Sequence, residues 1–181
     1  MKNLLLASLV LYSISLYAQK GKPFPSMSCK TLDDKEVVLP LKGTGKYSLV
    51  GLAYSKKSEE LLLTWYKPIY YKFMAIPDKN SLLADEPYDV NLYFVPMFTG
   101  VNAAAAGAAA KKMREGVDEE IQTHILIFKG KLDDYKEALN FTSKDEPYFY
   151  VIDENGVVVY MTHGAYSDQK MGEIEDVIDE F

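Results

Sequence analysis

The chain has 181 residues, 48% of them apolar by type and 25% charged, with a formal net charge of −6 at neutral pH. Its length suits one domain able to bury a sizeable core. The acidic balance argues against nucleic-acid binding, which needs a basic face for the phosphates, and the single cysteine, Cys29, leaves no internal disulfide.

The first element is a targeting segment. Lys2 precedes an apolar run over residues 4–16, shorter than the roughly 20 residues a membrane-spanning helix needs. Leu16-Tyr17-Ala18 offers an imperfect small-residue cleavage site. Together these predict a signal peptide over residues 1–18, and with it export to the periplasm or beyond the cell. An uncleaved N-terminal anchor is the alternative. No cysteine follows the apolar run, which argues against a bacterial lipoprotein, and no other stretch has the length and apolarity to span a bilayer. Residues 19–25, with Gly21 and Pro25, read as a linker. One domain is expected over residues 26–181.

Residues 26–32 and 35–39 predict a β-hairpin around Asp33-Asp34. Cys29 sits in its alternating first arm, as a small core residue would. Lys42-Gly43-Thr44-Gly45-Lys46 reads as a turn, because it lacks the phosphate-loop spacing and precedes a strand rather than a helix. Residues 47–54 are almost wholly apolar, the pattern of a strand covered on both faces. Ser55 or Ser58 then caps a helix whose first turn carries Glu59 and Glu60, where carboxylates suit the positive end of the dipole. Pro68 lies inside it, has no N–H and crowds the carbonyl of Thr64, so a bend is expected. Residues 77–87 read as a polar loop and 88–97 as a strand.

The alanine run over residues 103–110, extended to 115, predicts a helix packed closely on a sheet or another helix. Residues 123–128 predict a strand that His124 helps to begin, and 132–139 a short helix. A hairpin over 148–153 and 157–161 turns at Glu154-Asn155-Gly156. An acidic helix over 168–181 closes the chain, with Met171, Ile174, Val177, Ile178 and Phe181 at helical spacing. Strands interleaved with helices indicate an α/β sandwich with a mixed sheet.

Pro147, the segment Ile152-Asp153 with Gly156, then Gly164 and a terminal helix resemble the second half of thioredoxin-like proteins. That resemblance implies a thioredoxin-like three-layer sandwich with a central mixed sheet flanked by helices. It implies a cis-proline at Pro147 and a degenerate redox turn at Ser55-Lys56-Lys57-Ser58, where redox members carry Cys-x-x-Cys. Gly45-Lys46-Tyr47-Ser48-Leu49-Val50, Thr64-Trp65 with Pro68, Gln122-Thr123-His124, Lys129-Gly130 and Tyr148-Phe149-Tyr150-Val151-Ile152-Asp153 resemble, more closely, the thioredoxin-like assembly-factor family of mitochondrial ATP synthase and its bacterial relatives. That resemblance implies a chaperone without a working dithiol, acting on a subunit of a membrane complex.

Serine cannot replace the thiolate of the redox turn unless a base activates it, and exposed lysines such as Lys56 and Lys57 are protonated near neutrality. Helix capping is the simpler role for both serines. His124 and His163 lack metal-ligand spacing; His163 is expected to return near the turn. No cofactor or metal is called for. An extended peptide or protein is the expected partner, bound at a face made by Ser55, Lys56, Lys57, Ser58, Glu146 and Pro147, where the backbone beside a cis-proline adds a strand. Core packing is the expected role of Trp65, with a second candidate partner patch of Trp65, Tyr66, Tyr70 and His163 the alternative. Three function classes follow: a non-catalytic binding or assembly module of the cell envelope, an oxidoreductase or peroxiredoxin-like enzyme using Cys29, or a structural envelope protein.

Overall fold

A computed structural model describes residues 19–74 and 88–180. The expected signal peptide, the loop at 77–87 and Phe181 lie outside the described residues. Seven strands form one sheet: β1 (Met27–Thr31), β2 (Glu36–Leu39), β3 (Tyr47–Ala53), β4 (Val90–Thr99), β5 (Leu126–Gly130), β6 (Tyr148–Ile152) and β7 (Val158–His163). Their order across the sheet is β2-β1-β5-β4-β3-β6-β7. β3 runs parallel to β4 and β4 to β5, while β1, β2, β6 and β7 pair antiparallel to their neighbours. The helices are α1 (Lys56–Phe73), α2 (Ala106–Gly116), α3 (Glu119–Gln122), α4 (Asp133–Lys136) and α5 (Asp168–Asp179). This is the expected sandwich with a mixed sheet.

The sheet's alternation divides the core. Leu49 and Ala53 of β3, Phe94 of β4 and Phe149 of β6 face a cluster with Leu62, Trp65, Tyr66, Ile69 and Phe73 of α1 and Ile174 of α5. The α1 residues recur at three- and four-residue spacing, the stripe that a helix buries. Val50 and Leu52 point the other way, toward Met27, Leu39, Tyr148 and Tyr150. β3 is buried along almost its full length, as a strand covered on both faces must be. Gly51 is glycine for a reason of space: a Cβ there would come within 2.5 Å of the Phe149 ring and 3.1 Å of Leu62.

Several local expectations change. The alanine run starts as a 3-10 helix over Gly100–Ala105 with none of its residues buried, and α2 buries Ala106 alone. Ala109, Ala110 and Met113 pack at the edge of the core, so only one narrow stripe of this helix meets the body. Alanine propensity sets the helix, while its small side chains provide little apolar area to hold the other faces down. The strand expected from residue 123 starts at Leu126, because α3 precedes it and Thr123 is its C-cap. His124 therefore lies in a turn, although its N–H and carbonyl still serve: His124 N–H donates to Ile121 and its carbonyl accepts from Phe94 N–H. α1 continues through Pro68.

The cis peptide among the described residues is Leu39–Pro40. The expectation of a cis-proline at Pro147 is therefore corrected. A cis bond is favoured where the chain must turn tightly at the proline. Here the bends at residues 144–146 precede Pro147, and its carbonyl accepts the Gly164 N–H at 2.9 Å, so the chain is already directed into β6.

Candidate functional site

The end of β3 and the start of α1 build the site. Ser55 is extended (φ −140°, ψ 161°) and caps α1. Its hydroxyl oxygen accepts the Ser58 N–H at 3.1 Å, and the Ser58 hydroxyl oxygen accepts the Ser55 N–H at 2.9 Å. This reciprocal pair is a capping box, with serine in place of the usual Glu or Gln at its third position. Ser58 is fully buried. Its hydroxyl also accepts the Tyr54 N–H at 3.1 Å and donates to the Ser55 carbonyl at 3.0 Å. The two hydroxyl oxygens lie 3.2 Å apart, at the positions where the thioredoxin resemblance places two sulfurs. These hydrogen bonds close the turn.

The loop before β6 comes against this turn. Exposed Lys57 reaches Asp145 at 3.4 Å, and Lys56 is 91% exposed. Tyr54 donates its hydroxyl to the Ser143 carbonyl at 2.8 Å and stacks on Phe141. Burial, with Tyr148 and Asp145 nearby, pushes the Tyr54 phenol up to about 12, so it remains a donor across the physiological range. The Tyr148 hydroxyl accepts the Thr142 and Ser143 N–H groups at 2.8 and 2.7 Å, tying the same loop to the sheet. His163 stacks on Tyr148, and its Nδ1 lies 2.6 Å from Glu146 Oε2. The structure thus gathers Ser55, Lys56, Lys57, Ser58, Glu146, Pro147 and His163 at one end of the sheet. Within that group Ser58 and Pro147 are buried, and Lys56, Lys57 and Glu146 present side chains to solvent.

The second candidate patch does not form as a surface. Trp65 is fully buried, its indole N–H donating to the Gly164 carbonyl at 3.0 Å. Tyr66 is 4% exposed and stacked on Phe94. Tyr70 is half-buried beside Tyr71 and His124. An aromatic helix face reads alike for core and partner contact in sequence; the sheet behind α1 decides for core. Tyr54, Phe141, Ser143, Asp145 and Tyr148 are the contributors that the sequence reading missed. Their signal was weak, since the contacts span many residues between loop and strand.

Cys29 lies on β1, away from this face, 3% exposed. Burial pushes its thiol up to about 12, which leaves almost no thiolate at neutral pH. It borders a groove of about 510 Å³ between β1, β2 and the Ala106 end of α2. Alkylation of Cys29 in the folded protein at pH 8 is expected to run about a hundredfold or more slower than in the unfolded chain. An iodoacetamide time course read by mass spectrometry checks this; equal rates would show an accessible, reactive thiol. Among the described residues, no group of three His, Cys, Asp or Glu side chains is placed to hold a metal ion, and no helix is long and apolar enough to cross a membrane.

Comparison with known proteins matches this arrangement to a family and a fold. A family model described as ATP10 protein matches residues 13–180. No curated protein matches the chain in sequence. Among solved structures, the exposed lipoprotein thioredoxin of Streptococcus pneumoniae is similar with a TM-score of 0.53 and 18% identity, over 87% of this chain and 100% of that one. A thiol:disulfide interchange protein from Bacteroides sp. gives 0.51 and 17%, over 91% and 92%. The 2-Cys peroxiredoxin of Plasmodium vivax gives 0.52 and 17%, over 90% and 98%. These likenesses establish a thioredoxin-like fold for a chain with one cysteine.

Proposed function

The chain belongs to the ATP10 protein family, and from that premise we propose that it is a non-catalytic, exported thioredoxin-like protein that assists assembly of a partner protein in the cell envelope. The observation that carries this reading is the serine capping box. Both hydroxyls are committed to closing the helix end, so the turn that performs thiol exchange in redox relatives serves here as a rigid corner. The enzyme reading through Cys29 is disfavoured by that thiol's burial and raised pKa.

The partner is a protein or an extended peptide, and the family resemblance makes a subunit of ATP synthase the first to test. It would meet the side chains that the corner holds out: Lys56 and Lys57 at the start of α1, and Asp145 and Glu146 on the adjacent loop. The strand-addition mode narrows, because the Pro147 carbonyl is already occupied by Gly164. Charge-complementary docking fits the face better, and exposed charges of this kind govern encounter and register.

Reversal of two exposed charges, Lys56→Glu with Lys57→Glu, tests the face without touching the capping box. Co-purification of ATP synthase subunits with the tagged, exported protein is expected to fall about tenfold or more, as opposed interfacial charges cost several kcal/mol. The thermal unfolding curve should move little, because surface pairs contribute roughly 0–1 kcal/mol. Unchanged recovery of those subunits would move the contact elsewhere.

A further inference from the structure

A groove of about 300 Å³ lies between α1 and α2, beside the end of β4. Leu63 and Tyr66 of α1, Pro96 of β4 and Met113 of α2 make its walls largely apolar. Ala109 and Gly116 of α2 offer no long side chain to cover it, and Leu63 stays 51% exposed. Glu59 opens onto the same groove, half-buried in the first turn of α1. A helical carboxylate gains from a lysine or arginine three or four residues further on. Those positions here hold Leu62 and Leu63. Lys56 pairs with Glu60 instead, at 3.9 Å, and Lys112 on the opposite wall is exposed. Among the described residues, none of the ion pairs includes Glu59. Burial first, and then the charge of Glu60, raise the pKa of its carboxyl.

A carboxylate partly withdrawn from water costs free energy while it has no counter-charge. A cation that arrives with apolar neighbours would neutralise Glu59 and cover Leu63 in one contact. We propose that this groove docks a segment of the partner protein in which one lysine or arginine is set among apolar side chains, an inference that rests on the assembly reading above. The cation meets Glu59, and its neighbours lie against Leu63 and Met113. Lysine and arginine suit such a place because their aliphatic stems pack on apolar surface while the charged end reaches past it. The charges at the rim, Lys56, Glu60 and Lys112, are exposed, so they steer the approach more than they hold the contact. Lys56 borders both this groove and the charged corner beside Lys57, which makes the two surfaces continuous for one partner.

The test uses the full protein and two labelled, synthetic amphipathic helical peptides that differ at one position. One carries a lysine in its apolar face, the other norleucine. Fluorescence anisotropy is expected to show the lysine peptide binding about tenfold tighter, as one partly desolvated, hydrogen-bonded charge pair gives. Glu59→Gln should erase that preference, and Leu63→Ser should weaken both peptides. Neither side chain is fully buried, so both variants should unfold at nearly the wild-type temperature. Equal affinity for the two peptides, a preference that survives Glu59→Gln, or no binding of either peptide would overturn the docking site. Co-purification of ATP synthase subunits with the tagged protein separates this outcome from failure of the assembly reading. Recovery by wild type that falls in the Glu59→Gln, Leu63→Ser double variant supports the groove. Equal recovery by both would overturn the groove and leave the assembly reading standing. Absence of those subunits from the wild-type preparation would overturn the assembly reading and the inference with it.

Discussion

Trp65→Ala is expected to lower stability by about 4 kcal/mol, within the usual range for an aromatic deleted from a core. Trp65 is fully buried, its ring 4.2 Å from that of Phe149 and 5.2 Å from that of Tyr166. Removing it opens a cavity between α1, β6 and the segment after β7. It also strips the Gly164 carbonyl of the indole N–H. Trp65→Phe separates the two effects: it retains much of the volume but loses the donor, for an expected loss of about 1–3 kcal/mol. Urea unfolding followed by circular dichroism measures both. At roughly 2–4 °C per kcal/mol for a chain of this size, the alanine variant should melt about 8–16 °C lower. A loss under 1 kcal/mol for Trp65→Ala would mean that α1 is not held to the sheet as described.

Ser58→Ala is expected to cost about 2–3 kcal/mol, more than the roughly 1 kcal/mol typical of a lost helix cap. The reason is that one buried hydroxyl serves three backbone groups: it accepts from Tyr54 N–H and Ser55 N–H and donates to the Ser55 carbonyl. Two donors lose their acceptor at once, in a turn too closed for water to reach easily. Ser55→Ala removes one accepted bond and is expected to cost about 1 kcal/mol. Matched urea midpoints for the two variants would be the wrong order for a capping box centred on Ser58. In the assembly reading, both variants should still bind the partner at temperatures where they remain folded, because neither hydroxyl faces outward unbonded.

How much of this was legible in the residues can be argued element by element. The β3 strand was legible because six apolar residues within the eight of positions 47–54, bounded by turn residues, have few other uses. The capping serines were legible because serine before an acidic first turn has a specific local role. The stripe of α5 was legible by period. α3 was not, since four residues are too few to show any period, and its neighbour His124 was drawn into the strand as a result. The alanine helix was legible in type but not in burial, because propensity is local while packing depends on what the sheet leaves uncovered. The Pro147 peptide was assigned by resemblance, and the turn that actually directs the chain, ahead of it, has no distinctive sequence. The cluster of Tyr54, Phe141, Ser143 and Tyr148 was hidden for a different reason: side chains far apart along the chain meet only once β3 and β6 are paired.

That pairing also bears on when the protein can fold. β3 is flanked by β4 and by β6, with Ser48 opposite Ile152, and β1 rests against β5 with Cys29 opposite Phe128. The strands made first therefore complete their ladders only with strands made late. A chain emerging N-terminus first holds β3 with one open edge until β6 has been synthesised. Topologies of this kind close slowly, since the loop entropy must be spent before the long-range contacts form. Under the export proposed above, that delay would leave the second edge of β3 unpaired until the last hairpin, β6 with β7, arrives to cover it.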